Sequence, residues 1–196
     1  YHRAAQQDWP SSPFFSVLDY PITELAGKTL GIIGYGELGR GVATIGRAFG
    51  MTIISAAISG WQSAAQSTTP RLPLSEFLAT ADVISIHCPL SEQTHHLIAA
   101  DEFALMKTSS LLINCARGGI VDEQALAQAL KQGLIAGAGV DVLSREPPTE
   151  GNVLLEHGIP NLIVTPHCAW GSQAARQRLV DQAAEKLCAF IASVQR

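Results

Sequence analysis

The chain has 196 residues, of which 47% are apolar and 15% are charged, and its formal net charge is −4. This composition is typical of a folded domain with a sizeable core, and it argues against a disordered chain. The 13 basic residues form no long run of like charge, so we expect neither a nucleic-acid partner nor attachment to a membrane, and no apolar stretch approaches the roughly 18 residues that a spanning helix needs.

The stretch from Thr29 to Phe49 predicts a strand, a glycine turn and a helix. An apolar run is followed by Gly34, Gly36 and Gly39 in the spacing G-x-G-x-x-G, and then by apolar residues at helical spacing. In a dinucleotide-binding turn, the first glycine allows a tight turn, the second lets the backbone approach a pyrophosphate, and the third lets the helix pack closely. The helix N–H groups would then face the phosphates. The alternative, a glycine turn without a ligand, is disfavoured by the flanking strand and helix.

The rest of the chain alternates short apolar runs with helical patterns. Strands are predicted at residues 52–57, 82–87, 110–116, 135–142 and 162–165, and helices at 76–80, 100–106, 123–132 and from about 172 onwards. Ser75 and Asp122 are predicted to cap the helices that follow them. Residues 58–73 are predicted to form a loop. The last helix carries an apolar stripe, expected in the core or against another lobe, made of Leu179, Ala183, Leu187, Phe190 and Val194.

This alternation predicts an α/β fold with a doubly wound parallel sheet, a Rossmann-type NAD(P)-binding domain. In such a sheet, ligands bind beyond the carboxyl ends of the strands. Three ionisable residues follow strands there: Arg117, Glu146 and His167. An arginine can hold a carboxylate, a histidine can transfer a proton near neutral pH, and a carboxylate can orient that histidine. With a nicotinamide cofactor, these groups suffice to reduce a 2-keto acid.

Four stretches carry a family resemblance: LAGKTLGIIGYGELGR, INCARGGIVDEQAL, GAGVDVLSREPP and LIVTPHCAW. They resemble the cofactor-binding domain of the D-isomer-specific 2-hydroxyacid dehydrogenases. DVLSREPP, Trp170 and the pair Ala175-Arg176 are most similar to the glycerate dehydrogenases, or hydroxypyruvate reductases. The resemblance implies hydride transfer between NAD(P)H and a small 2-keto acid, with hydroxypyruvate and D-glycerate as the expected pair.

The resemblance also implies roles for individual residues. Arg117, Glu146 and His167 would be catalytic. Cofactor contacts would come from Gly34, Gly36, Glu37, Leu38, Gly39, Cys88, Pro89, Thr94, Cys115, Ala116, Arg117, Asp141, His167, Ala169 and Trp170. Asp141 would face the amide of the nicotinamide.

The resemblance implies a domain organisation as well. Residues 1–27 would be a crossover from a substrate lobe that this chain lacks, residues 28–170 the dinucleotide-binding domain, and residues 171–196 a helix returning towards that lobe. We therefore expect the chain to hold only part of the active-site cleft. The family resemblance further implies a homodimer through the cofactor domains.

Ala57 departs from the usual NAD-binding pattern. A domain selective for NAD places Asp or Glu at the end of the second strand to bind the ribose hydroxyls. Here no acidic residue occurs between Glu37 and Glu76, and no arginine between 51 and 70 is present to bind a 2′-phosphate. The sequence therefore leaves NAD and NADP open, and we expect reduced discrimination between them.

Two other functions fit parts of the sequence. A dinucleotide-sensing regulator, similar to a corepressor, would keep the same fold and triad but turn over slowly. A Rossmann methyltransferase would share the glycine turn but would give no reason for Arg117, Glu146 and His167.

Four cysteines, Cys88, Cys115, Cys168 and Cys188, show neither C-x-x-C nor a disulfide framework spacing. Since no signal peptide is visible either, we predict reduced thiols in a cytoplasmic protein. Two of these cysteines directly follow a histidine, but neighbouring residues on an extended strand point to opposite faces. Because no spacing matches a zinc motif, we expect no metal site.

Overall fold

Seven parallel strands form one sheet in the computed structural model, which describes residues 9–17, 22–58 and 69–194. The strands are β1 Thr29–Ile33, β2 Thr52–Ala57, β3 Arg71–Pro73, β4 Val83–Ile86, β5 Leu111–Asn114, β6 Gly137–Val140 and β7 Leu162–Val164. Their spatial order is β3-β2-β1-β4-β5-β6-β7. The strand order reverses between β1 and β4, which confirms the doubly wound fold. A ligand crevice is expected beyond the carboxyl ends of these two strands.

Helices alternate with the strands along the chain, and those that precede residue 133 pack against the two faces of the sheet. The helices are α1 Glu37–Ala48, α2 Leu74–Thr80, α3 Ala100–Leu105, α4 Glu123–Gln132 and α5 Gln173–Val194, with a short 3-10 helix at Val153–Leu155. Successive strand residues point to opposite faces, so Ile32 packs in the core cluster beside α1 while Ile33 packs in the larger cluster beneath α2, α3 and α4. The strands are apolar on both sides for this reason. None of the helices described has the length and hydropathy that a bilayer crossing requires.

The connection between β2 and α2 differs from its prediction. Part of the predicted loop, Arg71–Pro73, is the edge strand β3, and the rest of that loop from 59 to 68 lies outside the described residues. Three residues are too few to show a strand pattern, and the proline fits an edge position. Ser75 does not cap α2, because the helix begins at Leu74 directly after Pro73 and leaves Ser75 within its first turn. Asp122 does cap α4, accepting from the N–H of Ala125 at 3.0 Å.

The apolar stripe on α5 lies on the surface. No residue of this helix is buried, and Leu187 and Phe190 are 59% and 64% exposed. The prediction that this stripe lies in the core is therefore wrong. Contact with a lobe outside this chain stays a prediction.

Helix α1 also presents apolar residues outwards. Gly39, Ala43 and Gly46 face the sheet, whereas Ile45 and Phe49 are exposed. A Cβ added to Gly46 would lie 2.6 Å from a methyl group of Leu30, so a side chain there would force Leu30 to move. The small residues thus let α1 approach β1 closely, and its larger apolar side chains point away from the sheet.

Asp82 ties together the strand ends that lie opposite the ligand crevice. One oxygen of its carboxylate accepts from the N–H of Thr29 at 2.8 Å, and the other lies 2.9 Å from Nζ of Lys107. Burial would raise the pKa of Asp82, but the N–H of Thr29 and the charge of Lys107 outweigh it and hold the pKa below its usual range. These contacts join the start of β1 to the segments around β4 and β5.

Candidate active site

The three glycines of the turn after β1 have three different surroundings. Gly34 has a φ of +94°, and a Cβ there would lie 2.6 Å from the backbone nitrogen of Cys88, so the turn rests on the end of β4. A Cβ on Gly39 would collide with the carbonyl oxygen of Gly34. A Cβ on Gly36 would meet no described atom within 4 Å. The turn is therefore closed at Gly34 and Gly39 and open at Gly36, the arrangement that an approaching pyrophosphate needs.

Glu146 and His167 form a hydrogen-bonded pair at the carboxyl edge of the sheet. Nδ1 of His167 lies 2.6 Å from Oε2 of Glu146, and the N–H of Leu143 donates to Oε1 at 2.7 Å. Burial would raise the pKa of Glu146, but the N–H of Leu143 and the ring of His167 more than offset it, so the pKa lies below its ordinary value. The carboxylate therefore stays ionised and directs Nε2 of His167 away from itself.

The turn that carries His167 is held by Asp141, which is only 3% exposed. Oδ1 of Asp141 accepts from the hydroxyl of Thr165 at 2.5 Å and from the N–H of Cys168 at 2.9 Å, and Oδ2 accepts from the N–H of Ala169 at 2.9 Å. Burial would raise the pKa of Asp141, but these donors outweigh it and lower the pKa. Asp141 thus shapes the loop after β7, in addition to the nicotinamide contact that the resemblance implies.

His167 itself adopts a left-handed backbone conformation, with a φ of +48°. Residues other than glycine adopt this region rarely and at some energetic cost. Its N–H donates to the carbonyl oxygens of Asp141 and Thr165, at 2.8 and 3.0 Å. The surrounding hydrogen bonds therefore impose the conformation that orients the imidazole, which is typical of a functional residue.

Arg117 lies on the loop after β5, at the same edge of the sheet. The buried side chain of Asn114 fixes this loop by donating to the carbonyl oxygen of Arg117 at 3.0 Å and accepting from the N–H of Ala116 at 3.1 Å. The guanidinium donates to the carbonyl oxygen of Ala116 at 2.5 Å. The side chain of Arg117 is exposed and bonds to its own loop in this conformation.

The loops that carry Arg117 and Glu146 are in backbone contact. A Cβ added to Gly118 would collide with the carbonyl group of Leu143 and the nitrogen of Ser144. Only glycine permits this approach. Arg117 and Glu146 therefore lie on adjacent loops at the rim that also carries His167, whereas the catalytic roles of the three residues and the closure of Arg117 onto a ligand stay predictions.

Two of the other residues predicted to contact a cofactor, Thr94 and Cys88, are buried. The hydroxyl of Thr94 donates to the carbonyl oxygen of Pro89 at 2.7 Å and accepts from the N–H of Ser91 at 2.8 Å, which closes the turn after β4. Cys88 is buried, and burial raises the pKa of its thiol to about 11. Both side chains shape the edge of the crevice.

The remaining members of that set lie where a ligand could reach them. Their side chains are exposed or half-buried: Glu37, Leu38, Pro89, Cys115, Ala116, Ala169 and Trp170. Burial, with further contributions from the nearby Asp141 and Cys168, raises the pKa of Cys115. These residues follow the carboxyl ends of strands that include β5 and β7, on the edge of the sheet that carries the Glu146–His167 pair.

Ala57 contributes to the lining of a pocket of about 690 Å³ at the end of β2. Its lining is largely apolar and consists of Ala57, Ile58, Pro73, Leu74, Gln93 and Leu97. In a Rossmann-type fold this position lies next to the adenosine end of a dinucleotide. None of these lining residues carries a charge that would favour a ribose hydroxyl over a phosphate.

The histidine and cysteine residues show no metal-binding arrangement among the residues that the structure describes. Nε2 of His87 lies 2.8 Å from the hydroxyl of Ser85, and burial lowers the pKa of this histidine. All four cysteines are free thiols.

Sequence comparison identifies the family. Residues 1–169 match the NAD binding domain of the D-isomer specific 2-hydroxyacid dehydrogenases. The chain belongs to this family.

Members of this dehydrogenase family resemble the chain along most of its length. A glycerate dehydrogenase from Methylorubrum extorquens is 46% identical over 185 residues, which cover 94% of this chain and 57% of the relative. A hydroxypyruvate reductase from Blautia hydrogenotrophica is 38% identical over 183 residues, which cover 93% of this chain and 56% of the relative. The crystal structure of a D-lactate dehydrogenase from Aquifex aeolicus, complexed with NAD and lactic acid, gives a TM-score of 0.81 at 29% identity. That match covers 98% of this chain and 60% of the neighbour.

These similarities confirm the family and the Rossmann-type fold that the motifs predicted. The relatives are dehydrogenases and reductases, so the regulator and the methyltransferase gain no support. The chain spans less than three fifths of the length of these two curated dehydrogenase-family relatives.

Proposed function

We propose that the protein reduces a small 2-keto acid to a D-2-hydroxy acid with NADH or NADPH, and that hydroxypyruvate and D-glycerate are the physiological pair. The observation that carries this proposal is the Glu146–His167 hydrogen bond, at 2.6 Å, on the sheet edge that also holds the open glycine turn. Membership of the 2-hydroxyacid dehydrogenase family and the 46% identity to a glycerate dehydrogenase support the choice of reaction and substrate.

The residues divide the chemistry between them. A bound nicotinamide cofactor would supply a hydride to the carbonyl carbon of the keto acid. His167, as imidazolium, donates the proton on Nε2 to the carbonyl oxygen, so that hydride and proton together give the secondary alcohol. Glu146 holds the other ring nitrogen and stabilises the charged form of the imidazole. Arg117 turns from the carbonyl oxygen of Ala116 to bind the substrate carboxylate in two hydrogen bonds.

The glycine turn and the loops after the strands would hold the cofactor. Gly36 at the start of α1 would hold the pyrophosphate, and the residues around Ala57 would hold the adenosine end. The loops at Cys115 and Asp141 would hold the nicotinamide on the side of His167. Because Ala57 takes the place of the usual acidic residue, NADH and NADPH bind with similar affinity.

The turnover of the full-length protein tests this proposal. Hydroxypyruvate, glyoxylate and pyruvate are assayed with each cofactor by loss of absorbance of the reduced nicotinamide. We expect the highest kcat/KM for hydroxypyruvate and comparable affinities for NADH and NADPH. No turnover with any keto acid would overturn the proposed reaction, and a preference of about a hundredfold for NADH would overturn the cofactor assignment alone.

We also propose that the protein is a homodimer through its cofactor domains. The exposed apolar side chains of Ile45 in α1 and Phe49 directly after it support a contact on this surface, because neighbouring exposed apolar side chains are typical of interfaces. Sedimentation of the full-length protein tests this proposal. The wild type should sediment as a dimer and the Ile45→Lys variant as a monomer, whereas a monomeric wild type would contradict the proposal.

A further inference from the structure

Glu123, the first residue of α4, binds the loop that carries Glu146. Its Oε1 accepts from the N–H of Ser144 at 2.6 Å. Its Oε2 accepts from the hydroxyl of Ser144 at 2.8 Å and from Nδ2 of Asn152 at 2.7 Å. One carboxylate therefore holds both ends of the segment from Ser144 to Asn152, with Glu146 between them.

The contact of Glu123 is directly continuous with the Glu146–His167 pair. Leu143 and Ser144 are neighbours in the chain, and their N–H groups donate to Glu146 and to Glu123 respectively. The same two residues receive the close backbone approach of Gly118. A displacement of this segment would therefore move the carboxylate of Glu146 relative to Nδ1 of His167.

Helix capping does not account for this arrangement. Asp122 already caps α4 through the N–H of Ala125, so the side chain of Glu123 is not needed for that purpose. The backbone N–H of Ser144 and Nδ2 of Asn152 can only donate, and each faces a different oxygen of Glu123, so both oxygens must be acceptors. A glutamine would turn its NH₂ group towards Ser144 or Asn152 and leave a pair of donors facing each other.

We propose that Glu123 is a positioning residue for the Glu146–His167 pair. This role rests on the proposed reductase function, since it concerns the alignment of the group that donates the proton. With Glu123 in place, Glu146 remains within hydrogen-bond distance of Nδ1 and Nε2 remains directed at the substrate. Without it, the loop after β6 shifts, and the proton donor is misaligned in a fraction of the molecules.

The first test compares two variants of the full-length protein with the wild type. We expect Glu123→Gln to lower kcat about 10- to 100-fold, because small displacements of a catalytic group have effects of this size. The KM for the cofactor should stay the same, and the alkaline limb of the pH–rate profile for reduction should move to lower pH, because Glu146 stabilises the imidazolium less well. The control, Glu156→Gln, removes an exposed carboxylate 3.8 Å from Lys131 and should leave kcat unchanged.

A reciprocal exchange distinguishes positioning from a general loss of stability. In the double variant Glu123→Gln with Asn152→Asp, the NH₂ group of Gln can donate to the new carboxylate while its oxygen accepts from Ser144. The new aspartate can still accept from the N–H of Leu154, as Asn152 does at 2.9 Å. We expect this double variant to recover most of the lost kcat.

The third measurement does not depend on turnover. The Nδ1–H proton of His167 should give a downfield NMR resonance in the wild type, because it is shared with Glu146, and Glu123→Gln should weaken or shift it. If the wild type shows no turnover but Glu123→Gln still weakens or shifts the resonance, the proposed reaction is overturned and the positioning role is intact. An unchanged kcat, or a lower kcat in parallel with a lower Tm while the resonance is unaltered, would overturn the positioning role.

Discussion

The N–H of His167 donates to the backbone carbonyl oxygen of Asp141 at 2.8 Å, and the carboxylate of the same Asp141 binds the N–H groups of the next two residues. One residue at the end of β6 therefore builds the turn that follows β7. The turn holds His167 at a φ of +48°, which few residues adopt without such support. The orientation of the imidazole depends on Asp141 as well as on Glu146.

Asp141→Ala should therefore lower both stability and activity. The substitution leaves the N–H groups of Cys168 and Ala169 without an acceptor, and each unsatisfied group costs about 1–3 kcal/mol. Urea unfolding measures the first effect, and steady-state reduction of the keto acid measures the second. Thr165→Val is the matched control, because it removes one hydroxyl donor and leaves both backbone contacts in place. Equal effects of the two variants would contradict the central role of Asp141.

Glu146→Gln removes the negative charge beside His167 and keeps the size of the side chain. Glutamine can still accept from the N–H of Leu143, but it does not stabilise the imidazolium electrostatically. The alkaline limb of kcat/KM for reduction should therefore shift to lower pH, and kcat should fall. Glu150→Gln is the control on the same loop, where the carboxylate pairs with the exposed Arg145. An unaltered pH profile in Glu146→Gln would contradict the proposed role.

The glycine turn permits a matched pair of substitutions. Gly36 and Gly41 both have room for a methyl group, but only Gly36 lies on the turn that would face the pyrophosphate. Gly36→Ala should fold normally and weaken NADH binding about tenfold or more, since a methyl group there blocks the approach of the phosphate. Gly41→Ala, within α1, should leave the Kd unchanged and raise stability by about 0.5–1 kcal/mol. Titration of NADH fluorescence measures both, and equal affinities would contradict the placement of the pyrophosphate.

Asp82 provides a prediction for acid stability. Its pKa is depressed in the folded state, so it stabilises the fold above its unfolded pKa of about 3.9, and this contribution disappears as the pH falls through the folded pKa. Asp82→Asn should therefore lower the free energy of unfolding at neutral pH by about 1–3 kcal/mol, while near pH 2 the two proteins should converge. Urea titrations at a series of pH values measure the difference. A constant difference across this range would contradict the assigned cause.

The sequence was sufficient to predict the elements whose signals are local. The run before Gly34, the spacing of the glycines and the cap at Asp122 each depend on neighbouring residues. The rim that brings Arg117 and Glu146 together followed from a topological rule about strand ends, so it too could be predicted.

Other features depend on contacts between distant residues and could not be predicted in this way. Strand β3 exists because its three residues pair with β2, and the outward face of α1 follows from how closely Gly46 approaches Leu30. The hydrogen bonds of Asp141 to Thr165, and of Glu123 to Ser144, join loops that follow different strands or precede a helix. In the sequence, Glu123 has no feature that separates it from an ordinary acidic residue in a first helical turn.

The substitution His167→Gln tests the central claim most directly. In the full-length protein, turnover with hydroxypyruvate should fall by about 10²- to 10⁴-fold, because the proton donor is lost. The Kd for NADH should stay within about twofold of the wild-type value, because the glycine turn and the pocket at Ala57 are untouched. A variant that binds the cofactor normally and turns over at a rate close to that of the wild type would contradict the assignment of His167 as the proton donor.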